Sequence, residues 1–297
     1  MEAQLQQYLK GIYEGEHKSL ARSISLVENA HPLGESLLLH INPKQSIPVI
    51  GVTGPPGAGK STLVCALVEA LAEKEKRVAV LAVDPSSPFN MGSLLGDRIR
   101  MSSLYRHPNV FIRSMASRGT LGGLTEKTIE ITDLMKSANF DYVIVETVGV
   151  GQSELDIVGL ANCTLLVLVP ESGDEIQQVK SGIMEIADIF VVNKSDRPEA
   201  DKFAQALKRN LSIRHQTQPV IMTEAQSGLG INAILAHLEK PFEGNRLNQV
   251  ELMTQKAWKL IQEQRMRGLQ RDVLRQDIAE NMQRAEFNLY RFVRDYK

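Results

Sequence analysis

The chain has 297 residues, 43% hydrophobic and 23% charged, with 34 Lys and Arg against 35 Asp and Glu. That length suits one large α/β domain with appendages, and a net charge of −1 offers no basic field for nucleic acid or a membrane surface. Two cysteines in apolar stretches, Cys65 and Cys163, exclude a disulfide scaffold; no apolar run reaches bilayer length, and the early acids are unlike a leader segment, so cytoplasm is the expected location.

Residues 1–45 read as short helices. Leu5, Tyr8, Leu9 and Ile12 share one helical face and Leu20, Ile24 and Val27 another, with Pro32 and Pro43 as punctuation. They predict a helical appendage packed on the main domain. Over 46–241, strand-like runs at 47–52, 78–83, 110–113, 142–146, 165–169, 189–193 and 220–223 alternate with helical segments. Continuous apolar strands separated by helices predict an α/β fold with a mostly parallel, doubly wound sheet, in which ligands gather at the carboxyl ends of the strands. Over 242–297 the pattern becomes helical. Val250, Met253, Ala257 and Leu260, and then Ile278, Met282, Ala285, Leu289 and Phe292, recur at 3/4 spacing. Between Arg246 and Lys297, eleven Lys and Arg against seven Asp and Glu read as solvated helix faces rather than a nucleic-acid site. The apolar stripes require burial, on the domain or on a second copy of the chain.

The first run leads into Gly54-Pro55-Pro56-Gly57-Ala58-Gly59-Lys60-Ser61-Thr62, which fits the phosphate-loop pattern GxxxxGK[ST] between a strand and a helix. Glycines at 54, 57 and 59 let the backbone curl so that its N–H groups face one anion-binding concavity. Lys60 then reaches the β- and γ-phosphates, and the Ser61 hydroxyl can ligate Mg²⁺. Asp84, at the end of the second run, can bind the same ion directly or through water. Asp97, in Leu95-Gly96-Asp97-Arg98, would on its own be a turn or capping residue. The fourth run ends in Glu146, a position from which P-loop enzymes hold Mg²⁺, and Gly149 can offer its N–H to the γ-phosphate. Gln152 is a candidate for orienting water, although it stands three residues beyond that glycine, where Ras-like enzymes have it directly after.

The sixth run ends in Asn193-Lys194-Ser195-Asp196, the NKxD pattern that selects guanine. The Asp196 carboxylate can accept from guanine N1–H and N2–H₂, which adenine cannot offer. Such a mismatch costs about 1–3 kcal/mol. Lys194 can lie over the base and Asn193 can tie this loop to the phosphate loop. Glu224-Ala225-Gln226, after the last run, stand where a backbone N–H meets guanine O6.

In this order, GPPGAGKST, VDPSSP, LGDRIRM, RSMASRGTLGGL, ETVGVGQSE, GDEIQQVKSGIMEIAD and NKSD resemble the MeaB/ArgK family of methylmalonyl-CoA mutase-associated GTPases, over about residues 45–240. The resemblance implies a P-loop GTPase of the metallochaperone-related branch, using GTP/GDP and Mg²⁺ and dimerising through its C-terminal helices. Its expected partner is an adenosylcobalamin-dependent acyl-CoA mutase, to which it gates cofactor delivery and which it protects. Carried over by motif, Mg²⁺ contacts fall to Ser61, Asp84, Asp97 and Glu146. A switch between nucleotide and partner falls to Asp174, Gln177 and Lys180. The family usually has glycine and lysine where this chain has Gln178 and Ser181, and serine-alanine where it has TEAQ. Two rival readings are a metallochaperone GTPase of the hydrogenase or urease maturation type and a P-loop kinase linked to basic amino-acid transport. The first lacks its Cys/His motifs here, and NKSD argues against an ATP-using second.

Overall fold

The computed structural model describes residues 2–44, 46–84, 101, 103–116, 126–147, 157–170, 184–185, 187–240, 246–266, 268–283 and 287–296. By its internal contacts the chain divides into two compact units, Met1–Met253 and Thr254–Lys297.

The first unit opens with three helices: α1 (Glu2–Tyr13), α2 (His17–Glu28) and α3 (Pro32–His40). Rather than ending a helix, Pro32 starts one, with its fixed φ at the first position and the His31 ring accepting from Leu33 N at 3.1 Å. Leu5, Leu9 and Ile12 on α1, and Leu20, Ile24 and Val27 on α2, are buried, as their spacing predicts. They join Val49, Leu81, Phe111 and Val145 of the sheet in one apolar cluster, so these helices form a layer of the core.

The strands are β1 (Val49–Thr53), β2 (Val78–Asp84), β3 (Val110–Ala116), β4 (Tyr142–Glu146), β5 (Cys163–Leu168), β6 (Ile189–Val192) and β7 (Val220–Met222). All pair in parallel, in the order β3-β2-β4-β1-β5-β6-β7. The seven predicted runs are these seven strands, with shifted ends. β3 continues three residues past its predicted end, and β5 begins two residues earlier, at Cys163.

Helices cover both faces. With α1–α3, α5 (Glu126–Ser137) packs on one side, whereas α4 (Lys60–Glu73) and α7 (Ile231–Leu238) share a second cluster with Ile50, Val52 and Val167. A third cluster sets α6 (Ala200–Ile213) against Leu166, Leu168 and Phe190. Neither cysteine is in a disulfide. Burial and the Glu69 carboxylate push the half-exposed Cys65 thiol up to about 11; burial and Asp188 push Cys163 up to about 12.

The remaining helices are α8 (Arg246–Met266), α9 (Arg271–Met282) and α10 (Leu289–Asp295). The second C-terminal stripe is therefore two helices rather than one. Asn288 caps the last of them, accepting from Arg291 N at 3.1 Å, which starts a new helix partway along the apolar run. Within the second unit, Phe292 packs between Phe287 and Tyr296, and the Tyr296 hydroxyl donates to Asp277 Oδ2 at 2.8 Å. Among the described residues no helix is long and apolar enough to cross a membrane.

Candidate functional site

β1 is the middle strand of the sheet, paired with β4 on one side and β5 on the other. The phosphate loop leaves its carboxyl end and closes into α4, whose first residue is Lys60. Gly59 stands just ahead of the helix at φ +86°, a left-handed conformation that glycine adopts without strain. A Cβ there would meet Asn193 Nδ2 at 2.5 Å, whereas one at Gly57 would meet nothing within 4 Å. The loop is thus pressed against β6's end at one glycine and open at the other.

Lys60 is buried. Its Nζ donates to Gly54 O at 2.8 Å and Pro55 O at 3.1 Å, so the ammonium is held under the loop's own backbone. One residue on, the Ser61 hydroxyl donates to Glu146 Oε1 at 2.7 Å, and both residues are buried. A hydroxyl and a carboxylate from facing elements are the hard oxygen donors that Mg²⁺ prefers, so the pair fits that ion. Asp84 ends β2; its side chain lies outside the described residues, as does all of Asp97.

Asn193 joins the other end of the cleft. Its Nδ2 donates to Ala58 O at 2.9 Å, while its Oδ1 accepts from Thr223 Oγ1 at 3.1 Å and Ala225 N at 3.2 Å. One buried amide therefore ties the phosphate loop to the segments after β6 and β7. Lys194, at φ +57°, sends Nζ to Gly57 O at 2.8 Å. A pocket of about 120 Å³ opens here, lined by Gly59, Thr62, Asn193, Lys194, Asp196, Arg197, Glu224, Ala225 and Gln226. Asp196 and Glu224 place two carboxylates in its wall, suited to the N–H edge of a base, and the Ala225 amide lies beside Asn193.

Sixteen predicted residues thus lie in one cleft: Gly54 to Thr62, Glu146, Asn193, Lys194, Asp196, Glu224, Ala225 and Gln226. Gly149, Gln152, Asp174, Gln177 and Lys180 lie outside the described residues. Sequence reasoning missed Thr223 and Arg197. Thr223 closes a predicted strand run and reads as a β-branched strand former, and Arg197 follows directly on the NKxD pattern. Of the arginines near the predicted switches, Arg98 and Arg118 are outside the described residues. Arg113, on β3, is ion-paired with Glu28 and bonded to Ser25 of α2.

The family described as methylmalonyl Co-A mutase-associated GTPase MeaB matches residues 20–283. The chain belongs to that family. It is 38% identical to the GTPase ArgK of Escherichia coli over 274 residues, 86% of this chain and 83% of that protein. The mitochondrial methylmalonic aciduria type A homolog of Mus musculus is 38% identical over 283 residues, covering 85% of this chain and 68% of its own. A solved structure described as a LAO/AO transport system kinase superposes with a TM-score of 0.72 at 30% identity, over 91% of this chain and 85% of that one. The chain is thus a MeaB/ArgK-family GTPase with a P-loop fold.

The Asn193 clasp generates a direct test. Asn193→Ala removes three bonds and leaves the Ala58 carbonyl and Ala225 amide to find other partners, at about 0.5–1.5 kcal/mol for each bond. GDP affinity, measured by titration calorimetry, should fall by about tenfold or more.

Proposed function

We propose that the chain is a GTP-binding and GTP-hydrolysing chaperone that gates adenosylcobalamin delivery to an acyl-CoA mutase, such as methylmalonyl-CoA mutase, and protects it. The observation that carries the nucleotide half is the single cleft in which Asn193 joins the phosphate loop to the Asp196 pocket. The family's association with methylmalonyl-CoA mutase supports the choice of partner.

In this reading the loop from Gly54 to Thr62 cradles the phosphates and Lys60 turns to the β- and γ-oxygens. Asp196 accepts from the guanine edge, Lys194 covers the base, and Ala225 faces O6. Ser61 and Glu146 would hold Mg²⁺, with Asp84 and Asp97 completing its shell. Bound there, the ion neutralises charge on the phosphate oxygens. Gly149 and Gln152 are assigned to the γ-phosphate and to attacking water, and Asp174, Gln177 and Lys180 to the partner switch.

Base choice is tested first. The wild type should bind GDP far more tightly than ADP. Asp196→Asn should lose guanine affinity and gain xanthine nucleotides, whose C2 carbonyl suits an amide donor. Equal calorimetric affinities for ADP and GDP in the wild type would rule the assignment out.

Turnover alone should be slow, because Gln152 comes three residues after Gly149 in sequence, where Ras-like enzymes have glutamine directly after the glycine, and Arg113 is held by Glu28. Completing the donor set around a transferring phosphate is worth about 10³–10⁵ in rate. A mutase that co-purifies with the chain in the presence of a GTP analogue should therefore accelerate single-turnover hydrolysis. Lys180→Ala should lose most of that acceleration and keep its GDP affinity. A variant still fully stimulated would remove Lys180 from the switch.

The homodimer is supported by α8, where Trp258 is 65% and Ile261 46% exposed, more apolar surface than a solvated helix needs. Light scattering should give a dimer at micromolar concentration. Trp258→Glu with Ile261→Glu should give a monomer that still binds GDP, and a monomeric wild type would overturn this part of the reading.

A further inference from the structure

The carboxyl ends of β1 and β4 are joined by more than ladder bonds. Thr53 closes β1 and Thr147 follows β4; their exposures are 0% and 1%. Thr147 Oγ1 donates to Thr53 Oγ1 at 2.9 Å, and Thr147 N donates to Val52 O at 3.0 Å. Burying two hydroxyls at the end of an apolar strand pair is costly unless they bond each other. Valine would fill the same space without that cost, so packing alone does not call for threonine at either position.

Each threonine adjoins a piece of the nucleotide machinery. Thr53 is the residue from which the phosphate loop departs, and Thr147 follows Glu146. Glu146 in turn accepts from Ser61, at the far end of the same loop, at 2.7 Å. The chain thus closes a ring: Thr53, the phosphate loop, Ser61, Glu146, Thr147 and back to Thr53. Within that ring the hydroxyl pair is a side-chain link beside Ser61–Glu146 and the bonds from Lys60 to Gly54 and Pro55.

We propose that Thr53 and Thr147 are positioning residues, a buried hydroxyl latch that holds Glu146 in register with the phosphate loop for GTP hydrolysis. They act through Glu146. The latch sets where the carboxylate sits relative to Ser61 and contributes little to holding the nucleotide, whose contacts lie along the loop and in the Asp196 pocket. The proposal rests on Ser61 and Glu146 as the metal-holding pair and does not depend on the mutase.

The test is partner-free, single-turnover GTP hydrolysis beside GDP affinity, with Mg²⁺ titrated. The variants are Thr53→Val, Thr147→Val, the double variant, Thr147→Ser and, as reference, Glu146→Gln. Each single valine should slow hydrolysis about tenfold and raise the Mg²⁺ needed for half-maximal rate, with GDP affinity within about twofold of wild type. The double variant should be no slower than the slower single, because one pair is removed only once. Thr147→Ser, which keeps the hydroxyl, should recover to within about threefold of wild type. Valine variants at wild-type rate, multiplied losses in the double, or a serine variant no better than valine would each overturn the latch. If Thr147→Val fails to fold, Thr53→Val and Thr147→Ser decide the matter by the same criteria. Glu146→Gln at wild-type rate would instead overturn the metal assignment and the latch with it. Slow Glu146→Gln beside fast valine variants removes the latch alone.

Discussion

Gly54 leaves β1 at φ +141°, and a Cβ on it would stand 2.1 Å from the carbonyl oxygen of Val167 on β5. No side chain fits there, and L-residues rarely adopt that backbone angle. The departure takes place at the centre of the sheet, with β4 and β5 hydrogen-bonded on either side. Everything the phosphate loop does follows from this exit. The freed Gly54 carbonyl receives Lys60 Nζ, and the loop turns back over the end of β1 within six residues, so that α4 begins above the strand that launched it. The same close approach ties the loop's origin to β5, whose neighbour β6 carries Asn193 beyond its end.

From that exit, adjacent loop residues face opposite strands. Gly59 lies against Asn193 and Ala58 O accepts its amide, on the β6 side. Two residues beyond Gly59, Ser61 reaches Glu146 at the end of β4, on the other side. A short helix start therefore joins the Asn193 end of the cleft to the Glu146 end. Parallel strands make this possible, because they deliver all their carboxyl ends to one edge. A nucleotide spanning the cleft would meet its Asn193 and Ser61 ends already set relative to each other, which lowers the ordering cost of binding.

Most of the fold was legible because its strands are buried on both faces and read as unbroken apolar runs. The strand ends were not. The third run reads as ending at Arg113, a charge followed by Ser114, yet β3 continues to Ala116, and α2 offers Glu28 to the arginine. Thr164 similarly hid the start of β5; its amide donates to the Asp188 carboxylate at 2.7 Å. The C-terminal stripe misled in the other direction, since 3/4 spacing carries across a break that Asn288 imposes. In the site, residues whose chemistry is in their type, lysine in a glycine loop or aspartate in NKxD, were readable from pattern. Thr53, Thr147 and Thr223 were not. A threonine in a β-branched run looks like a strand former, and only its partner across the sheet reveals a second role.

The N-terminal helices bear on how this site is held. They share an apolar cluster with β1 through Val49, with β2 through Leu81 and Val83, and with β4 through Val143 and Val145. α4, which carries Lys60 and Ser61, lies in the cluster on the opposite face with Ile50 and Val52. Alternate residues of β1 therefore belong to different layers, as the two-residue period of a strand requires. Val49 faces the N-terminal helices and Ile50 faces α4. The strand that launches the phosphate loop is fixed from both sides, and its last residue, Thr53, is fixed again by Thr147. A loop that leaves the sheet without a side chain at Gly54 gains its rigidity from the strand beneath it. In this chain that strand is clamped by helices assigned, on sequence alone, to an appendage.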